Sequence, residues 1–93
     1  MSLYMPSKYK KYGRIVSLKS PVRARTSVKT LAKEFSRAKT HDKRLRVWRV
    51  ANLASNRAFA NLKKANLSYK ERQEYRQIGG IYRNFADEIN KNM

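Results

Sequence analysis

Ninety-three residues with 23 Lys/Arg against 6 acids, a net charge of +17, fit one small domain with a thin core, and that charge opposes its compaction. The absence of cysteine excludes disulfide staples and thiolate metal sites. No apolar run of about 18 residues is present to cross a bilayer, and no lipidation signal to anchor to one, so a polyanion, most commonly nucleic acid, is the natural counterpart of the charge.

The charge is uneven along the chain. Residues 1–39 carry eleven Lys/Arg and one acid, residues 40–66 seven and one, and residues 67–93 five and four. The first two thirds are therefore the basic part, and the last third has the balance of an ordinary helix.

Residues 1–19 show no helical period. Pro6 and Gly13 punctuate them, and Lys8, Lys10, Lys11 and Arg14 alternate with Tyr4, Tyr9 and Tyr12. This composition predicts an extended basic arm that follows a phosphate backbone, with tyrosines free to stack on bases. A solvated tail is the plain alternative. Ile15, Val16 and Leu18 are expected to form a short extended segment anchoring the arm to the core. The beginning of the chain lacks the continuous apolar stretch of a signal peptide, which points to the cytoplasm.

A helix is predicted over residues 21–38. Ser20-Pro21 supplies an N-cap hydroxyl and a proline at the first helical position, and Val28, Leu31, Ala32 and Phe35 follow at i, i+3, i+4 and i+7. Arg23, Arg25, Lys29, Lys33 and Arg37 take its remaining surface. Thr40 is a plausible N-cap for a second helix over 41–65, with Asp42 in the first turn, where the helix dipole favours an anion. On a helical wheel with Arg46 at zero, Val47, Trp48, Ala51, Ala54, Ala58, Phe59, Leu62 and Ala65 fall between roughly 80° and 220°. Arg46, Arg49, Arg57 and Lys64 fall in the opposite arc. Val50, Leu53 and Ala60 interrupt that basic side with apolar groups, which predicts a cover of arm or nucleic acid.

Asn66 is expected to close the second helix in a left-handed conformation. Ser68 to Glu71 matches the capping box that opens a third helix over 69–89. Tyr75, Ile78, Tyr82, Phe85 and Ile89 form a narrow seam along it. Gly79-Gly80 interrupts this helix at a cost of roughly 1 kcal/mol per glycine. Close approach of the alanine-rich second helix is the expected return, and a kink the alternative. The prediction is an all-α domain over residues 20–93, a small helical hairpin or three-helix bundle, with an extended basic N-terminal arm over 1–19.

Catalysis finds little material. His41 is the only histidine and falls at a predicted turn. There is no carboxylate cluster for a metal and no glycine-rich phosphate loop, and Glu71 and Glu74 are explained by capping and dipole. The reading is a protein without enzymatic activity, cofactor, metal or small-molecule substrate; a ribonuclease built on His41 and lysines is the remote exception.

Nucleic-acid contact is better supported. Arg44, Arg46, Arg49 and Arg57 offer planar forks suited to phosphates, although a solvated charged face is the ordinary role of such residues. Trp48 and Phe59 are expected in the core, Tyr4 and Tyr69 are freer to stack, and Asn52, Asn56 and Asn61 lie off the core arc. Long helices packed along their lengths do not suit a helix-turn-helix reader, so phosphate and shape recognition is the expected mode.

A short helical body, a basic arm with aromatics and an arginine-rich middle resemble the small ribosomal proteins that extend into ribosomal RNA. The stretch from SPVRARTSVKTLAKEF through THDKRLRVWRVANLASNRA to SYKERQEYR is similar to small basic proteins of archaea, whose ribosomes carry extra proteins of this size. The resemblance implies a structural ribosomal component, with rRNA and neighbouring ribosomal proteins as partners. The candidate RNA-binding residues are Lys8, Tyr9, Lys10, Lys11, Tyr12, Arg14, Arg23, Arg25, Lys29, Arg44, Arg46, Arg49, Arg57 and Lys64. Two other readings remain open at this level: a DNA-coating architectural protein of chromatin or a virion, and a module docking on an acidic protein.

Overall fold

Three helices organise residues 15–93, the part of the chain that the computed structural model describes. They are α1 (Pro21–Arg37), α2 (His41–Ala60) and α3 (Tyr69–Asn90), with a single 3-10 turn, Asn61–Lys63, after α2. No strand occurs among the described residues, and the fold is all-α.

The helix starts are the ones the cap residues dictate. The Ser20 hydroxyl accepts the Arg23 N–H at 3.1 Å, with Pro21 opening the first turn. Thr40 Oγ1 accepts the Lys43 N–H at 3.2 Å. The capping box is complete: the Glu71 N–H donates to Ser68 Oγ at 3.1 Å, and the Ser68 N–H donates to Glu71 Oε1 at 3.2 Å. Each cap satisfies donors that have no partner within the helix.

The end of α2 departs from expectation. The helix stops at Ala60 rather than Ala65, and its last turn tightens into the 3-10 segment. The Asn61 N–H is shared between the Arg57 and Phe59 carbonyls, and the Lys64 N–H donates to the Asn61 carbonyl at 3.2 Å. Arg72 Nη1 reaches back from α3 to the Leu62 carbonyl at 3.1 Å. Four carbonyls at the α2 end, those of Arg57, Phe59, Asn61 and Leu62, thus have partners without a left-handed residue. Asn66 does not adopt one; no non-glycine residue described has positive φ.

α2 and α3 form an antiparallel hairpin. Ser55 meets Gly79 and Leu62 meets Arg72, so one number rises as the other falls. The buried seam of α2 is Val47, Ala51, Ala54, Ala58 and Asn61, spaced four and three alternately, and it packs with Ile78, Tyr82, Phe85 and Ile89. α1 adds Ala24, Ser27 and Leu31 to this core.

The core face of α2 is rotated toward the arginine side of the wheel. Val50, expected among the arginines, is 1% exposed, while Phe59, expected inside, is 36% exposed. Ala65 is exposed beyond the helix end. Trp48 and Leu53 are partly buried against the same core. Of the three apolar groups that interrupt the basic side, Val50 is therefore covered wholly and Leu53 partly by the protein itself, while Ala60 is exposed. Packing decides this: α2 presents one side to α3 and another to α1, and Val50 contributes to the core they share.

The two glycines of α3 have different reasons. A Cβ at Gly79 would lie 2.7–2.9 Å from three ring carbons of Phe59, while one at Gly80 meets nothing within 4 Å. α3 runs unbroken through both. Close approach is thus confirmed at Gly79, against an aromatic ring rather than the alanines. Gly80→Ala is expected to stabilise the domain by about 1 kcal/mol through helix propensity. Gly79→Ala is expected to lose about 1 kcal/mol net, because displacing the ring outweighs the same propensity gain. In a Phe59→Ala background the sign at position 79 should reverse; urea unfolding of the four variants reads both effects.

Candidate nucleic-acid interface

The root of the predicted arm is built into the domain. Val16 is buried, and Ile15 and Leu18 pack partly against the core. The buried Tyr82 phenol donates to the Ser17 carbonyl at 2.8 Å and accepts the Ser17 N–H at 3.0 Å. Ser27 Oγ lies 2.7 Å from the Ile15 carbonyl and 2.9 Å from that of Arg23, so one hydroxyl proton serves two acceptors. Ile15, Val16 and Leu18 therefore anchor residues 15–19 as their apolar character foretold. Lys8, Tyr9, Lys10, Lys11, Tyr12 and Arg14, with Tyr4, lie outside the described residues.

On α1, Arg23, Arg25 and Lys29 are exposed, as are Lys33 and Arg37. Arg25, Lys29, Lys33 and Arg37 recur every four residues and so share one ridge on the side away from Ala24 and Leu31. Lys33 and Arg37 belong to the candidate surface as fully as the first two. Their four-residue spacing is the signal that marks them. Nothing acidic stands within this ridge, and adjacent like charges at that spacing repel by about 0.2–0.5 kcal/mol per pair.

On α2, Arg46, Arg49 and Arg57 share a stripe with Leu53, and Arg44 projects elsewhere because residues two apart do not face each other. Arg46 Nη2 lies 3.2 Å from Asp42 Oδ2, with the two side chains 40% and 75% exposed. Solvent screening leaves such a pair little net stabilisation. Lys64 is exposed in the turn that follows the 3-10 segment. His41 is exposed in the first turn of α2, and Tyr69 is 78% exposed at the start of α3.

Other arginines have internal duties. Arg83 Nη2 donates to Asn56 Oδ1 at 3.1 Å, and its Nε lies 3.4 Å from Ser55 Oγ, which itself donates to the Gly79 carbonyl at 3.0 Å. Asn56 is thereby held within the fold. Asn61, also expected on the outer side, is 6% exposed, because it continues the four-three seam of Val47, Ala51, Ala54 and Ala58 one step past the helix end.

Between Lys19 and Lys64, fourteen Lys/Arg share the chain with two acids, Glu34 and Asp42; twelve of the fourteen are exposed and Arg44 and Arg46 are half-exposed. No helix among the described residues is long and apolar enough to cross a membrane, and no group of three potential metal ligands is gathered there. Compared with protein-family models, curated proteins and solved structures, the chain matches none.

Proposed function

We propose that this protein is a non-enzymatic RNA-binding protein, a structural component of a ribonucleoprotein particle, the ribosome foremost. The observation that carries the reading is the excess of exposed cations on the outer surface of α1 and α2, where Arg25, Lys29, Lys33 and Arg37 form a ridge of like charges that opposes helix formation. Phosphates of a structured RNA supply the missing counter-charge. The exposed arginines of α2 bind phosphate oxygens through planar forks, and Lys8, Lys10, Lys11 and Arg14 add cations of the same kind earlier in the sequence. Recognition of this kind depends on backbone shape and steep counterion release rather than on a base sequence.

Tagged protein isolated from its host is expected to bring down ribosomal RNA and to sediment with ribosomes at moderate salt. Replacing Arg46, Arg49 and Arg57 by Gln should release it into the soluble fraction without unfolding it. Association with a protein that persists after nuclease digestion would overturn this reading in favour of an acidic protein partner. Equal recovery of any duplex DNA would overturn it in favour of a chromatin or virion role.

A further inference from the structure

We propose that Phe59, Arg76 and Arg83 form a platform for single-stranded RNA on the side of the α2–α3 hairpin away from Val50. An unpaired base stacks on the phenyl ring, and the phosphates beside it lie on the two guanidinium groups. The proposal deepens the RNA-binding reading and rests on it for the source of the strand.

Phe59 stands nine residues from Val50, half a revolution around α2 at 100° per residue. It therefore faces away from the core that α1 and α3 share. Its Cδ1, Cε1 and Cζ atoms lie over Gly79, where a Cβ would come within 2.7–2.9 Å of them. The residue is nevertheless 36% exposed. A lone exposed ring is ordinary on a protein surface. This one is seated by a glycine inside a helix, where glycine is among the least favourable residues, and full burial of the ring is not the return. Gly80, the next residue, has nothing within 4 Å of its Cβ position, so the surface beside Gly79 is open to close approach.

Arginines frame the ring. Arg72, Arg76, Gly79 and Arg83 follow one another at spacings of four, three and four, which puts them on one ridge of α3. The outer two are fixed against α2. Arg72 Nη1 donates to the Leu62 carbonyl at 3.1 Å, three residues after Phe59. Arg83 donates to Asn56 Oδ1 at 3.1 Å and to Ser55 Oγ at 3.4 Å, three and four residues before it. The ring thus lies between two anchored guanidinium groups. Arg83 is exposed and uses two of its N–H groups in these bonds, so its remaining donors are held in a fixed orientation for an anion. Arg76 is exposed and makes no hydrogen bond or ion pair among the described residues. Asp87, one turn past Arg83, makes no ion pair among them either.

A ring and fixed guanidinium groups together select the ligand. An inorganic anion has no use for the ring, and an apolar molecule none for the arginines. A duplex keeps its bases stacked on one another and offers only its backbone. A single strand carries a π face and a phosphate within each nucleotide, and stacking on an aromatic side chain beside cations is how sequence-tolerant single-strand sites bind. Unpaired loops and ends of a structured RNA present that chemistry.

The test compares a single-stranded RNA of about six nucleotides with an abasic strand of the same length. Each is labelled and titrated with the intact protein, followed by fluorescence anisotropy. The abasic strand keeps every phosphate and lacks the bases, and it is expected to bind about tenfold more weakly, the lower part of the range for one stacked base. Phe59→Leu should erase that difference by lowering the affinity of the base-bearing strand alone, whereas damage to the fold lowers both. Arg76→Gln changes an exposed side chain with no bond in the fold. It and Arg83→Gln should each reduce the salt slope by about 0.7 for both strands. Amide shifts caused by the base-bearing strand should centre on residues 55–59 and 76–83. Equal affinity for the two strands, a difference that survives Phe59→Leu, or salt slopes unchanged by both arginine substitutions would overturn the proposal. The same shifts produced by the tripeptide Glu-Phe-Glu would overturn it as well, assigning the platform to an acidic protein. Blunt duplex RNA, titrated in parallel, reads the ridge of α1. Duplex binding without a base-dependent difference removes the platform alone, and a base-dependent difference without duplex binding removes the structured-RNA reading alone.

Discussion

Replacing Arg25, Lys29, Lys33 and Arg37 together by Gln is expected to stabilise the domain while weakening its hold on RNA. The four side chains form three like-charged i, i+4 pairs on the exposed ridge of α1. Relieving about 0.2–0.5 kcal/mol at each pair gives roughly 1 kcal/mol in sum. The substitution removes none of the apolar contacts of Ala24, Ser27 and Leu31, so the gain is not offset by lost packing. On the RNA side, each phosphate contact contributes about 0.7–0.9 to the slope of log affinity against log salt. Four lost contacts should lower that slope by about three units, and the affinity near 0.15 M salt by at least tenfold, by the same counterion argument. Urea unfolding measures the first effect, and fluorescence anisotropy with a structured RNA over a range of KCl measures the second. A ridge that only solvates the helix would show the stability gain with an unchanged salt slope, and that outcome would remove α1 from the interface. The opposition of signs is what makes the experiment decisive, because general damage to the fold lowers both quantities.

The fold was largely legible in the sequence because its boundaries are chemical. Ser20-Pro21, Thr40 and the Ser68–Glu71 box each place an oxygen where a helix start needs an acceptor, and the structure uses all three. The α3 seam from Ile78 to Ile89 was equally readable, since a three-four spacing of large apolar residues has few other uses. The orientation of α2 was not. Its apolar residues spread over more than one face, and the choice between Val50 and Phe59 for the core depends on the directions from which α1 and α3 approach. Ser55 shows the same limit. A hydroxyl is an unlikely core group until the carbonyl of Gly79 stands 3.0 Å away to accept its proton. The end of α2 was missed because a side chain from another helix, Arg72, satisfies a carbonyl there. In the candidate interface, exposure of the α1 cations follows from their spacing, and Lys33 and Arg37 join it by the same rule. Burial of Asn61 was not expected, because the wheel gave its place to solvent, yet it continues the spacing of the Val47 to Ala58 seam.

Tyr82→Phe is expected to cost about 1–3 kcal/mol, the penalty for leaving part-buried Ser17 backbone groups without partners. Both bonds run to the Ser17 main chain, so Ser17→Ala should be nearly neutral, losing only the exposed contact from the Lys19 N–H to Ser17 Oγ at 3.2 Å. That contrast separates loss of the phenol from loss of the serine. Amide exchange should accelerate most at residues 15–19, the segment the phenol holds, and least in the middle of α2. The effect also has a pH signature. Burial pushes the Tyr82 phenol above its usual value of 10.0, against a smaller opposing pull from the Ser27 hydroxyl and the Ser17 backbone. A folded pKa above the unfolded one means that the stabilisation is fully present below pH 10 and is lost as pH rises through the folded value. The stability gap between the parent and Tyr82→Phe should therefore stay constant at neutral pH and narrow above pH 10, the other tyrosines and lysines cancelling in the comparison. A gap independent of pH would mean that the phenol ionises as freely in the fold as in the unfolded chain.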